Sequence, residues 1–313
     1  MGDLFVTKIH VNKVRHLHDF DVVLSDDVRK HLILTGKNGS GKTSLLESMK
    51  DEILWKQQMS YHKFRDAHIG NDYLRGNSGS ESKYEVALSF SDTTDEKVNY
   101  LAAFFAYIGA HRGEHSIPKA IEQLEMRGKT VITRNASKDF LRYILSLDYQ
   151  LYGAKTDGNA ELEANIKKWF DGFNEALREI YDSPDTKLQR DTKNLSFLVD
   201  VPGREPFPLQ NMSDGYKAFL DIYMELLMRF ENGDAIVEYD TPAIVLIDEI
   251  ETHLHVELQK RILPFLTKMF PRVQFIVATH SPFVIISLPN AVVYDLEKKE
   301  QLDNRNCPKL RGI

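Results

Sequence analysis

Hydrophobic and polar positions change period several times along the chain. Leu4 to Val11 alternates, so it predicts a strand with one buried face, and Phe20 to Leu24 reads as a second strand. His31-Leu32-Ile33-Leu34-Thr35 is a short apolar run, the mark of a buried strand. A helix is expected from Lys42 to about Gln57. Arg65 to Ser82 is polar and carries the glycine-bearing stretch Arg75 to Ser80, so it reads as a loop. Tyr84 to Phe90 alternates like an edge strand, and Tyr100 to Ile108 reads as a buried one. Between Ser116 and Arg190 the period becomes helical. Leu141, Ile144, Leu145 and Leu147 to Leu151 recur at that spacing. Leu162, Ile166, Trp169, Phe170, Phe173, Leu177 and Ile180 share one face of a helix over Ala160 to Tyr181, ending near Ser183-Pro184-Asp185.

Strand and helix then alternate again. Leu195 to Val201 predicts a strand, Pro202 to Pro208 a bend, and Asn211 onward a helix to about Phe230. Ala243 to Ile247, Val273 to Ala278 and Ala291 to Leu296 predict strands, with a helix over Val256 to Met269. The expected fold is α/β, with a mainly parallel sheet, an antiparallel lead-in sheet and a helical insertion. Residues 1–112 and 191–313 would form its two halves, with 113–190 inserted.

Chemistry is concentrated at the ends of these strands. Gly36-Lys37-Asn38-Gly39-Ser40-Gly41-Lys42-Thr43 follows one strand and opens one helix, the context a P-loop requires. Gly36, Asn38, Gly39, Ser40, Gly41, Lys42, Thr43 and Ser44 are candidate phosphate-binding residues, because backbone N–H groups and a helix N-terminus attract anions. Lys42 would reach the β- and γ-phosphates, and the Thr43 hydroxyl would ligate Mg²⁺. Ile244-Val245-Leu246-Ile247-Asp248-Glu249 places two carboxylates at a strand's carboxyl end, as a Walker B segment does. Asp248 would hold Mg²⁺ through water and Glu249 would polarise the attacking water. Thr279-His280-Ser281-Pro282 closes the next strand. His280 would contact the γ-phosphate, while Ser281 caps a helix with Pro282 at its first position. Ser213-Asp214-Gly215-Tyr216-Lys217 opens a helix, and Ser213 and Gly215 are candidates for phosphate contact.

In this order the four motifs resemble the ABC-type ATPases, most closely the SMC/RecF-like branch and the small AAA/OLD-like ATPases of bacterial anti-phage defence operons (PtuA-like or AriA-like). The resemblance covers about residues 4–50 and 195–296. It implies a P-loop NTPase head of ABC type that dimerises around two ATP molecules, with Ser213 reaching the γ-phosphate held by the other subunit. Asp248 to His255, followed by Gln259, looks like this branch's Walker B and D-loop, with Val256 where the family often has Pro. Met212-Ser213-Asp214-Gly215-Tyr216 replaces the Leu-Ser-Gly-Gly-Gln of transporters. No Gln follows the strand near Tyr100 to Ile108, and His111-Arg112 takes its place. The function implied is slow ATP hydrolysis with Mg²⁺ in an oligomer that senses or scaffolds, controlling a separate nuclease or toxin. A DNA-repair or chromosome-maintenance ATPase, a non-hydrolysing scaffold and, less favoured, a transporter nucleotide-binding subunit are the alternatives.

Composition narrows this little. A net charge of −6 argues against a uniformly basic surface, so nucleic acid would need a local patch. Arg127, Lys129, Arg134, Lys138 and Arg142 form a basic run that reads equally as a nucleic-acid groove and as a solvated helix face. His253 and His255 lack helical metal-ligand spacing and fit a D-loop better than a metal pair. The single cysteine, Cys307, suits a reducing cytosol. No signal peptide, membrane span or myristoylation signal is expected, so a cytoplasmic location follows.

Overall fold

The computed structural model describes residues 4–69, 85–91, 104–110, 140–194, 196–230 and 240–302. The chain divides into two compact units, each assembled from separated stretches. One comprises residues 1–110, 241–251 and 272–313, and the other residues 111–240 and 252–271.

Among the described residues the first unit contains two sheets. β1 (Val6–Val14) lies between β2 (Leu17–Val23) and β4 (Val86–Phe90), antiparallel to both. The larger sheet includes β3 (Leu32–Thr35), β5 (Phe104–Ile108), β9 (Ala243–Ile247), β10 (Val273–Ala278), β11 (Val292–Asp295) and β12 (Glu300–Leu302). Its order is β12-β11-β3-β10-β9-β5, parallel except for the β11–β12 pair. β3, β9 and β10 are buried at every position, which explains why they read as continuous apolar runs rather than alternations. The first helix, α1 (Lys42–Ile69), follows β3.

One polar residue interrupts β10. Gln274 has no exposed surface. Its Oε1 accepts from Val6 N–H at 2.7 Å, and its Nε2 donates to Val6 O at 2.9 Å and Lys30 O at 2.8 Å. The amide thereby ties β1 to the larger sheet, and its burial is tolerated because it is bonded on both sides.

His31 precedes β3, and Phe275 N–H donates to its Nδ1 at 3.1 Å. Burial, with Arg29 and Lys30 nearby, pushes its pKa down to about 4. The ring is therefore neutral in the fold, whereas the unfolded chain binds a proton at the ordinary histidine pKa near 6.5. Its contribution to stability is complete above about pH 6.5 and is lost as pH falls to about 4. The loss is roughly 3 kcal/mol, from the difference of the two pKa values. His31→Asn keeps an acceptor for Phe275 N–H without a titrating group. Urea denaturation at pH 7.5 and pH 4.5 should show a smaller pH loss in this variant than in the native chain. Equal losses would refute the assignment.

The second unit holds α2 (Phe140–Asp157), α3 (Ala160–Tyr181), α4 (Asp214–Phe230) and α5 (Val256–Met269). It also holds an antiparallel sheet of β6 (Lys187–Asp191), β7 (Ser196–Asp200) and β8 (Phe207–Pro208). Its core is aromatic. Trp169 stacks on Phe173 at 5.6 Å, Phe173 on Tyr223 at 5.9 Å, and Phe265 meets Tyr223 edge-on at 5.4 Å. Trp169 is 1% exposed, which makes it a packing residue rather than a base-stacking one. Asn159 caps α3 by accepting from Leu162 N–H, and Asp182 ends it in a left-handed conformation.

α3, α5, β9 and β10 have the limits expected from the sequence. Most other limits shift by a few residues, β8 lies in the expected Pro202 to Pro208 bend, and three elements differ more. α1 continues through Arg65 to Ile69, where a loop was expected, because polar residues do not end a helix and no Gly or Pro occurs before Gly70. The rest of that expected loop lies outside the described residues, as do Tyr100 to Ala103. β6 lies in the stretch read as helical up to Arg190, and β12 follows the last expected strand. Both are edge strands with mostly exposed side chains, so neither alternates. Among the described residues no helix is long and apolar enough to cross a membrane.

Candidate functional site

The parallel order β3-β10-β9 places three loops side by side at the strands' carboxyl ends. The loop after β3 is Gly36 to Gly41, that after β9 begins at Asp248, and that after β10 begins at Thr279. Ligands bind at this edge in open α/β sheets.

The first loop is shaped by its glycines. Gly36 has φ +141° and Gly41 φ +94°, conformations that strain any side chain. Space excludes one as well. A Cβ on Gly36 would lie 2.7 Å from Ser40 Oγ, and one on Gly41 2.8 Å from Leu17 Cδ1. Ser40 N–H closes the turn on Lys37 O at 3.0 Å, and Leu45 N–H donates to Gly41 O as α1 starts. The first turn of α1 contains no acidic residue, so its positive end is left for an anion. Lys42 is 7% exposed, and its Nζ donates to Gly36 O at 2.7 Å and Lys37 O at 3.1 Å. Lys37 itself is drawn outward to Glu297, 2.7 Å away.

Asp248 stands at the end of β9, 1% exposed, with its N–H on Ile108 O at 2.9 Å. Burial raises its pKa, opposed by a hydrogen bond with the Thr43 side chain and by Lys42, and Glu249 adds to the rise. Glu249 has φ +46°, a left-handed conformation that is uncommon for a non-glycine residue and concentrates at functional sites.

A cleft of about 240 Å³ collects these groups. Asn38, Gly39, Gly41, Lys42, Thr43 and Ser44 form one wall, Glu249 contributes from β9, and Arg15 and His16 close it from the β1–β2 turn. Lys42, Arg15 and the backbone N–H groups of the glycine loop lend the lining positive charge, so it suits a phosphate chain. Mg²⁺ fits as well. Thr43 and Asp248 offer hard oxygen donors already in hydrogen-bond contact, and Mg²⁺ completes its shell with phosphate and water. Among the described residues no cluster of three or more His, Cys, Asp or Glu could hold a metal by itself.

His280 is not a cleft residue. Its ring is 53% exposed and lies against the buried carboxylate of Glu251. Ser281 caps α6 (Pro282–Ser287), accepting from Phe283 N–H at 3.2 Å and Val284 N–H at 3.4 Å, with the proline in the first turn as expected.

In the second unit, Ser213 is exposed and Gly215 buried at the start of α4, and Lys217 N–H donates to Ser213 O at 2.9 Å. A Cβ on Gly215 would lie 2.9 Å from His255 Cδ2. His253 and His255 are both exposed. His111, Arg112, Arg127, Lys129, Arg134 and Lys138 lie outside the described residues.

Sequence reasoning missed Arg15 and His16, and gave Glu251 no role. The first two were legible only as a basic pair in a turn between alternating strands. Glu251 was legible only as a third acidic residue two beyond Glu249.

Comparison with known proteins identifies the family. A family model described as "AAA domain" matches residues 8–207. A second AAA-domain model, whose description refers to the AbiEii toxin and type IV TA systems, matches residues 136–287. The Septu protein PtuA of Bacillus mycoides is 33% identical over 108 residues, which is 34% of this chain and 15% of PtuA. The Retron Ec83 probable ATPase of Escherichia coli is 36% identical over 117 residues, 37% of this chain and 21% of that protein. The matching stretch thus spans about a fifth or less of the relatives' own lengths. Among solved structures, the SMC head bound to the C-winged helix domain of ScpA is 14% identical with a TM-score of 0.49, covering 93% of each chain. The SMC head domain from Thermotoga maritima is 15% identical with a TM-score of 0.45, covering 93% of this chain and 94% of the other. With its P-loop, its buried Asp248 and the match over residues 8–207, the chain belongs to the AAA-domain family.

Proposed function

We propose that the protein binds ATP with Mg²⁺ in the cleft, hydrolyses it slowly, and uses ATP-dependent dimerisation or higher oligomerisation to control a separate effector, a nuclease or toxin, in anti-phage defence. The observation that carries the ATPase reading is the gathering of Lys42, Thr43, Asp248 and Glu249 at the carboxyl ends of β3 and β9, the two strands that flank β10. The α1 N-terminus and the P-loop N–H groups bind the phosphates. Lys42 leaves Gly36 O and Lys37 O to neutralise the β- and γ-phosphates. Thr43 and Asp248 hold Mg²⁺, which offsets negative charge on the phosphate oxygens. Glu249 accepts a hydrogen bond from water and aligns it for attack. His280 contacts the terminal phosphate, and Ser213 and Gly215 of a second copy complete the site. Support for the defence reading comes from the relatives, since PtuA is named a Septu protein and two others are named as the probable ATPases of retrons Ec83 and Vc95.

Lys42→Ala tests the reading at its base. It removes the buried cation and should abolish measurable ATP binding in a calorimeter, together with any protective phenotype of the operon. Native affinity in this variant would refute the assignment of the cleft.

A further inference from the structure

Glu251 is a buried carboxylate beside the cleft-bearing loop that the mechanism above does not use. Glu251 is 6% exposed and lies two residues beyond Glu249. Its Oε1 accepts from His280 N–H at 2.8 Å, and His280 Nδ1 lies 2.9 Å from the same oxygen. A backbone bond runs alongside, from Ile250 N–H to Ala278 O at 3.3 Å. The loop after β9, which carries Asp248 and Glu249, is thereby strapped to the loop after β10, which carries His280.

The chemistry of the pair is specific. A carboxylate can only accept, so Nδ1 must carry the hydrogen in this contact. That fixes the tautomer and leaves Nε2 as the other ring nitrogen, on a ring that is 53% exposed. Flipping the ring would set a carbon against the carboxylate and forfeit the bond. Glu251 Oε2 has no hydrogen-bond partner among the described residues. A buried carboxylate is costly to keep with one oxygen unmatched, and an apolar side chain would fill the space with less penalty. The bond from His280 N–H and the close approach of its Nδ1 are what this site gains in return.

We propose that Glu251 is the positioning residue of His280. It holds Nδ1–H at its carboxylate, leaves Nε2 as the ring nitrogen available to a ligand, and couples the histidine to the loop that carries Glu249. The proposal rests on the ATPase reading above for its consequence, but the pairing itself can be tested without turnover.

Two measurements test it. In the native protein, ¹⁵N-edited NMR at alkaline pH, where histidine rings are neutral, should show His280 as the Nδ1–H tautomer. In Glu251→Ala it should revert towards Nε2–H. Resonance assignment by His280→Asn identifies the signal. An Nε2–H tautomer in the native protein overturns the proposal whatever the activity. In steady-state assays Glu251→Ala should lower kcat about 10-fold or more with KM for ATP little changed, the scale of losing an orienting partner. Glu251→Gln, which retains an acceptor oxygen, should fall between native and Ala and guards against a folding defect. The double variant Glu251→Ala/His280→Ala should be no slower than His280→Ala alone, because the two residues act as one unit. Effects that multiply would overturn the proposal. Absence of ATP turnover in the native protein would sink the ATPase reading, while the tautomer would still decide the pairing.

Discussion

Glu249→Gln is expected to bind ATP as the native chain does and to hydrolyse it roughly 100-fold or more slowly, the usual weight of a positioned general base. The substitution is isosteric, so the left-handed turn at φ +46° and the lining of the cleft are preserved. Asp248, 1% exposed, is left unchanged and would still be there to serve the cation. What disappears is the carboxylate that aligns water. If ATP drives dimerisation, this variant should therefore accumulate as an ATP-bound dimer that the native protein forms only transiently. Phosphate release measures the first effect and light scattering with added ATP the second. Native turnover would remove Glu249 from the catalytic role. Slow turnover without a dimer would retain the catalytic role and overturn dimerisation as the output.

The sequence revealed the elements whose physics is local. β3, β9 and β10 read as buried parallel strands because every position is apolar or covered. The P-loop is visible because φ values of +141° and +94° leave glycine as the residue that fits without strain. Features that depend on distant packing were hidden. Arg15 and His16 enter the cleft because the β1–β2 turn folds onto Gly41, where Leu17 Cδ1 would lie 2.8 Å from an added Cβ. No period in the chain encodes that approach. Gln274 looked like one more residue of an apolar strand, yet it bonds Val6, 268 positions away. Glu251 could be read as part of a D-loop, but its partner His280 lies 29 residues further on. β6 and β12 were lost for a different reason, because exposed edge strands carry little hydrophobic signal.

Gly215→Gln should separate a shared site from a self-contained one. A Cβ at this position would stand 2.9 Å from His255 Cδ2 and 3.4 Å from Leu258 Cδ1. His255 is exposed and can swing aside, so the variant should fold, at a cost of about 1–3 kcal/mol for overpacking. The same bulk at the start of α4 would block backbone approach to a phosphate. In the proposed dimer that phosphate belongs to ATP on the other copy. Gly215→Gln should then keep ATP binding at Lys42 and lose both dimerisation and hydrolysis. Mixing it with Lys42→Ala is the decisive form. Each mixed dimer pairs the intact P-loop of the Gly215→Gln chain with the intact α4 start of the Lys42→Ala chain, and spoils the other site twice. For a two-fold dimer mixed at random from equal amounts, half of the dimers are mixed and each has one good site. Activity should therefore return to about a quarter of the native value from two inactive parents. No recovery, or native hydrolysis by Gly215→Gln alone, would mean that each chain carries a complete site of its own.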